Sequence, residues 1–436
     1  MTTTTLAPSA TTPSAAMLAS LALATLLPSL AVSSANVALP TLAASLGAGL
    51  ADVQWVVLAY LLATTSLIVG AGRLGDLLGR RRMLLAGIAL FTAASALCVL
   101  APTLPWLVAA RALQGAGAAA MMALSMAMVG TALAKAPSGR AMGLLGTMSA
   151  AGTALGPSLG GALIALSGWP AVFAVNLPLG GLALLLVWRC LPADQERGGA
   201  TRFDVPGTLW LAFTLAFFAL GMTQHTGLLI VAAAGLLLFI RTEARAASPL
   251  VRLERLRDPA LGAGLAMNAL VSTVMMATLV VGPFHLGGAL SLGAAAVGAL
   301  MSVGPALSAF SGVPAGRLVD RFGTRRMTQL GLAMMVLGCG FIAVLPPSAV
   351  AYVGPLAVVT PGYALFQAAN NTAVMAGVAV EQRGVMSGLL TLSRNLGLIA
   401  GASAMAAVYA AGGLGASFAI AVAMLALSLG LAKRAK

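Results

Sequence analysis

The sequence predicts an all-α protein that crosses a membrane many times, and three observations carry that prediction. Of the 436 residues, 60% are hydrophobic and only 8% are charged, against roughly 25% charged in a soluble domain. The mean hydropathy of +1.00 is spread along the chain and not gathered in one tail. The apolar residues also fall into fourteen stretches, most of them near the ~20 residues a helix needs to cross the hydrocarbon core. A soluble fold of this length would cover its surface with charged residues, and too few are present.

In chain order the stretches are 17–40, 53–72, 83–101, 104–134, 140–167, 170–190, 205–222, 226–241, 259–284, 291–315, 327–346, 350–376, 384–410 and 413–432. Residues 1–16 carry no charge. They lack the positive start of a secretory signal and read as a disordered tail before an uncleaved first helix. Residues 433–436 form a basic tail. Cys98, Cys190 and Cys339 have no metal-type spacing and read as small packing residues.

Charge fixes the sidedness. Of the 24 Lys and Arg residues, 22 group after even-numbered stretches: Arg73 with Arg80, Arg81 and Arg82; Lys135 with Arg140; Arg189, Arg197 and Arg202; Arg241 to Arg257; Arg317 to Arg326; Arg383; and the C-terminal tail. Connections 41–52, 101–104 and 346–350 on the opposite side contain none. Because positive residues stay cytoplasmic, both termini are expected in the cytoplasm, in the plasma (inner) membrane. Reading 205–241 as one span would move Arg317–Arg326 outside, so a turn at Gln224-His225-Thr226 divides it into two. The net charge of +14 is thereby accounted for without a nucleic-acid partner.

The chain is internally repeated. Gly72-Arg-Leu-Gly-Asp76-Leu-Leu-Gly79-Arg80-Arg81 returns 244 residues later as Gly316-Arg-Leu-Val-Asp320-Arg-Phe-Gly323-Thr-Arg325. Two copies at equivalent turns imply a duplicated six-helix unit, 17–190 and 259–432, with a linker at 191–258 that carries two extra spans. Gly72 and Gly79 suit close helix approach and a tight reversal. Asp76 suits the free N–H groups of a neighbouring helix start, and the arginines suit carboxylates or lipid headgroups.

With these turns the chain resembles the fourteen-span drug:proton antiporters of the major facilitator superfamily, over essentially its whole length. That resemblance implies the major facilitator fold, two six-helix bundles plus an inserted two-helix hairpin, acting as a monomer on a small-molecule substrate and protons within membrane lipids. It also implies a latch between the halves at Gly72, Asp76, Gly79 and Arg80, and at Gly316, Asp320 and Gly323.

Further motifs lie inside the spans. Arg111 stands about 10 Å into the membrane on straight-helix geometry, with Gln114 on the same face. A cation there marks a pathway or relay by default, and the resemblance implicates it in proton transfer. Gly152, Gly156 and Gly160 form a smooth stripe for close helix contact, and Pro157 leaves the carbonyl of Thr153 without its usual donor. Together with Gly161, this pattern resembles the signature of the superfamily's exporters. The first span ends in Asn36-Val-Ala-Leu-Pro40, as in that family, but Ala31 stands where many members carry Asp.

None of the ten acidic residues falls in a span core, which leaves the usual carboxylate coupling without its group. Asp52 at the outer mouth and His285 at the end of the ninth span are the conceivable replacements, although Asp52 also suits a helix N-cap. Arg394 lies about 16 Å deep, counted from Arg383. If Arg111 and Arg394 both line the cavity, they favour neutral or anionic substrates over lipophilic cations. Asn36, Asn176, Asn268, Tyr363, Gln367, Asn370 and Asn371 are the expected neutral lining.

Other chemistry finds no support. Gly115-Ala-Gly117 lies mid-helix with no strand before it, and no phosphate-binding Gly-x-x-x-x-Gly-Lys occurs. Two histidines placed in loops and no buried acid–base cluster leave an enzyme without its parts. No cofactor or metal is expected. The alternative to a proton-driven drug exporter is a metabolite exporter or facilitator that uses no protons.

Overall fold

A computed structural model of the chain describes residues 15–132, 138–194, 204–246, 258–376 and 383–434. The N-terminal tail up to residue 14, Lys135, linker residues 195–203 and 247–257, and Glu381 lie outside these. The side chains of Arg73, Asp76 and Arg140 are also outside the description.

The described residues form helices joined by short turns. They are α1 (Ala15–Leu46), α2 (Leu50–Val53), α3 (Trp55–Leu78), α4 (Arg80–Val99), α5 (Leu104–Ala132), α6 (Ser138–Ser167), α7 (Pro170–Ala174) and α8 (Asn176–Cys190), then α9 (Val205–Thr223) and α10 (Leu228–Arg245). After these come α11 (Pro259–Phe284), α12 (Ala294–Phe322), α13 (Thr324–Val344), α14 (Ala349–Met375), α15 (Arg383–Ala400) and α16 (Ala406–Arg434). Single π-helical turns, His285–Ala289 and Gly401–Met405, follow α11 and α15. Several starts are set by a capping side chain. Asp204 accepts from Gly207 N at 2.9 Å, and Asp258 accepts from Ala260 N at 2.9 Å, each just before a proline that fits a helix's first turn.

Eleven segments among the described residues are long and apolar enough to cross a membrane. The difference from the fourteen expected lies in three places. The apolar part of α6 is described only over Ala151–Ser167, α10 carries Arg241, Glu243 and Arg245 in its last turns, and 389–433 counts as one segment. Gly413, with φ +69°, breaks that last segment, at the boundary between the two stretches read from the sequence.

The packing repeats along with the sequence. In the first half α1 lies along α6, α3 on α5, and α4 on α5 and α8. In the second, α11 lies along α15, α12 on α14, and α13 on α14 and α16. The halves meet through α6 with α12, α3 with α15, and α1 with α11, while the α9–α10 hairpin rests against α3. Apolar residues cover the outside as well as the core: Leu166, Phe310 and Val344 are 82%, 81% and 84% exposed, as suits a surface facing lipid.

Candidate functional site

Between the halves lies a cavity of about 200 Å³. One wall comes from α1 (Ser29, Ser33), α3 (Tyr60, Thr64), Met122 of α5 and α6 (Ser149, Thr153). The other comes from α11 (Met275, Met276), α12 (Met301, Gly304, Ser308), α14 (Thr360, Tyr363) and α15 (Arg394, Asn395). The lining is mostly apolar side chains and hydroxyls, with Arg394 the one charge among the described residues.

Two glycine ridges shape these walls. A Cβ at Gly152 would run into Leu26 O, and one at Gly156 would strike the Oγ of Ser33. At Gly160 it would stand 3.2 Å from Ser34. The expected stripe therefore seats α6 directly on the α1 backbone, and α6 runs on unbroken through Pro157. Ser33 Oγ donates to Gly152 O at 3.2 Å, and the Ser29 and Ser149 hydroxyls are 2.7 Å apart. Gly161 faces elsewhere: its Cβ would meet Ala294 O at 2.7 Å and Gly298 Cα at 2.8 Å, across the boundary on α12. This is a close contact between the halves at the end away from the Arg-rich turns. Toward those turns, Gly312 continues the face of Gly304 and Ser308 and has nothing within 4 Å among the described residues.

The second ridge was not foreseen. A Cβ at Gly397 would run into Ala269 O, and one at Gly401 would stand 2.5 Å from Thr273 O, so α15 sits on α11 as α6 sits on α1. Gly397 and Gly401 follow Gly152 and Gly156 by 245 residues. The repeat was the available signal, but its 244-residue offset at the turns is one residue short of this one.

Arg111 does not line the cavity, so of the two cations only Arg394 meets that condition. It is fully buried inside the first half, its Nε donating to Val56 O at 2.8 Å and its Nη1 to Gln114 Oε1 at 2.5 Å. Gln114 Nε2 in turn donates to Ser95 Oγ at 2.7 Å. The guanidinium carbon stands 4.3 Å from the centre of the Tyr60 ring and 5.8 Å from that of Phe173. Tyr60 forms part of the cavity wall and donates to Pro28 O at 3.1 Å. The cation thus sits one aromatic ring behind the chamber.

The repeated turns share a backbone shape. Gly79 and Gly323 have φ of +101° and +83° at the junctions α3–α4 and α12–α13, a region that favours glycine. Among the described residues, Gly72 and Gly316 meet no close helix neighbour: the nearest atom to a Cβ at Gly72 is 3.9 Å away, and at Gly316 none lies within 4 Å. The start of α4 is held by Asp194, whose two oxygens accept from Arg81 N at 2.8 Å and Arg82 N at 3.0 Å. The sequence assigns a similar role to Asp76, whose side chain lies outside the description. Gly79 occupies the cap position without a side chain, and the chain leaving α8 brings Asp194 to it. Arg81 also donates to Trp188 O, and Arg325, its counterpart, to Lys433 O at 3.2 Å. Arg80 Nη1 donates to Ala127 O at 3.1 Å, and Asp320 is exposed. Asp194→Ala is expected to lower stability by about 1 kcal/mol, the usual worth of an N-cap. An unchanged thermal midpoint of the purified protein would show the cap to be idle.

Of the expected cavity residues, Tyr363 and Arg394 line it, whereas Asn36, Asn176, Asn268, Gln367 and Asn371 do not. Asn36 Nδ2 turns back to Val32 O at 3.0 Å. Asn268 Nδ2 bridges to Leu390 O at 2.9 Å, and Asn370 Nδ2 to Gly264 O at 3.2 Å, so both tie helices together. Asn176 is buried at the start of α8. Asp52 is exposed on α2, and the cap position of α3 belongs to Gln54, so Asp52 caps no span. His285 is helical and 3% exposed, not in a loop, with its ring 6.0 Å from that of Tyr352. Among the acids, Glu243 is 3% exposed and lies against Gly207 beside Asp204.

Residues 21–402 match the sequence pattern of the Major Facilitator Superfamily. The chain is 32% identical over 383 residues to the uncharacterized transporter YebQ of Escherichia coli (strain K12), covering 85% of this chain and 84% of that one. It is 33% identical over 391 residues to the multidrug resistance protein Stp of Mycobacterium tuberculosis (strain CDC 1551 / Oshkosh), covering 86% of this chain and 72% of that one. A solved bacterial homolog of the human lysosomal transporter Spinster, inward-facing and unoccupied, superposes with a TM-score of 0.72 at 15% identity, covering 96% of both chains. That likeness speaks to the fold.

Proposed function

This chain belongs to the Major Facilitator Superfamily, and from that premise we propose that it exports small drug-like molecules by alternating access, driven by the proton gradient. The observation that carries the reading is the α6 ridge. Gly152, Gly156 and Gly160 seat one half's cavity helix on α1, while Gly161 meets α12 of the other half. A wall that is tight within one half and hinged against the other is what rocking about a central site requires. Its residues are those of the pattern that resembles the exporter signature, and the similarity to Stp points the same way.

In this reading the chain makes fourteen spans, two six-helix bundles at 17–190 and 259–432 with the α9–α10 hairpin inserted between them. Both termini face the cytoplasm. The basic turns then mark the inner face, the Gly161–Gly298 contact closes the outer end, and the cavity opens inward. Gly79, Gly323 and Asp194 shape the turns that lock the halves, and Arg111 with Gln114 forms the relay behind Tyr60. The lining includes no carboxylate among the described residues. That observation favours a second reading, an exporter that runs without protons.

Purified protein in liposomes separates the two. With an imposed pH gradient and a panel of neutral, anionic and cationic antibiotics, the first reading expects proton flux that appears only with a transported compound and substrate movement that an uncoupler stops. Movement that continues unchanged with the gradient collapsed would select the facilitator.

A further inference from the structure

Arg394 is the one charged side chain among the described residues lining the cavity. The helix that carries it is fixed in place. Ser393 Oγ donates to Leu265 O at 2.5 Å, Asn268 Nδ2 donates to Leu390 O at 2.9 Å, and Gly397 seats on Ala269. The guanidinium is therefore presented by a rigid element. Its Nε is buried and has no hydrogen-bond partner among the described residues. Arg111 lies behind Tyr60 and outside the chamber, so it neither competes with Arg394 nor shares its role.

A cation in an apolar chamber loses solvation that only a partner of opposite charge returns in full. The lining offers none. Its polar members near this wall are neutral: Tyr363, Thr360 and Asn395. The remainder of the same wall is soft and apolar, with Met275, Met276 and Met301 able to fit varied shapes. A planar fork of donors beside a yielding apolar surface matches a molecule with one acidic end and a greasy body. A permanent cation would meet like charge at low dielectric.

We infer that Arg394 docks the acidic group of an amphipathic organic anion, such as a carboxylate, and that such anions are the cargo this cavity prefers. The inference rests on the reading above, in which the cavity is the transport site.

Equilibrium binding to the purified full chain tests it with matched pairs: naproxen and probenecid, each beside its methyl ester, with ethidium as the permanent cation. The acids are expected to bind about tenfold or more tightly than their esters, the usual worth of one charge-assisted contact. Arg394→Gln is expected to erase that preference and Arg394→Lys to keep most of it. Esters or ethidium binding as well as the acids in the unsubstituted protein would overturn the assignment, with no variant needed. So would a preference that survives Arg394→Gln. If ethidium is exported from liposomes while the acids hold no advantage, the anion assignment falls and the exporter reading stands. If the acids bind with the expected preference but nothing is moved, the exporter reading falls and the docking role stands.

Discussion

Gly161→Ala is expected to open the sealed end of the protein. The added methyl would lie 2.7 Å from Ala294 O and 2.8 Å from Gly298 Cα, and both are backbone atoms of α12 that no rotamer change can clear. Overpacking of this kind costs roughly 1–3 kcal/mol. The contact joins the two halves, so the cost falls only on the conformation in which they meet there. The ratio of sealed to open forms should therefore drop by about 5- to 150-fold. Spin labels at Leu166 and Ala295, both exposed near the ends of α6 and α12, would report this as a longer distance population. Gly160→Ala is the control: its methyl stands 3.2 Å from Ser34 within the same half, so it should alter stability slightly and the label distances not at all. Unchanged distances in Gly161→Ala would mean that this crossing is not the seal.

Arg111 should separate stability from transport. Its partners are a carbonyl, an amide and two aromatic rings, all neutral, so the buried charge is only partly compensated. Replacing a poorly compensated buried ion with an apolar side chain of similar volume is often neutral or stabilising. Arg111→Met is accordingly expected to keep the stability within about 1 kcal/mol of the parent, read as a nearly unchanged thermal midpoint, while export falls to background. Arg111→Lys should be worse for the fold. The ammonium keeps the charge but cannot span Val56 O and Gln114 Oε1 together, and the lost charge-assisted bond is worth about 1.5–3 kcal/mol. A Met variant that unfolds, or one that still exports, would assign Arg111 to packing alone.

The many-span class was legible because hydropathy is a property of local windows, though eleven candidate spans and not fourteen stand among the described residues. The junctions at Gly79 and Gly323 were legible for a related reason, since a positive φ selects glycine wherever it occurs. Helix starts marked by Asp-Val-Pro and Asp-Pro also follow from nearest neighbours. The cavity wall was less legible. Asn36, Asn176, Asn268, Gln367 and Asn371 were expected there on polarity alone, yet a polar side chain in a membrane is satisfied as well by a neighbouring backbone carbonyl as by a cavity, and Asn268 took the first course. Meanwhile the methionines of α11 and α12, which do line the chamber, carry no signal that separates them from core residues.

By itself the sequence determined the membrane-spanning class and the duplicated turns, since both are written in composition, spacing or repetition along the chain. Only the tertiary structure decided that Asp194 holds the start of α4, that Arg111 stands behind Tyr60, and that Arg394 alone among the described residues brings charge to the cavity wall. The reason is the solvent. In water, an apolar stripe tells which face of a helix is buried; in a bilayer, lipid and core are equally apolar, so the facing of each helix is left to close contacts such as Gly156 on Ser33 and Gly161 on Gly298.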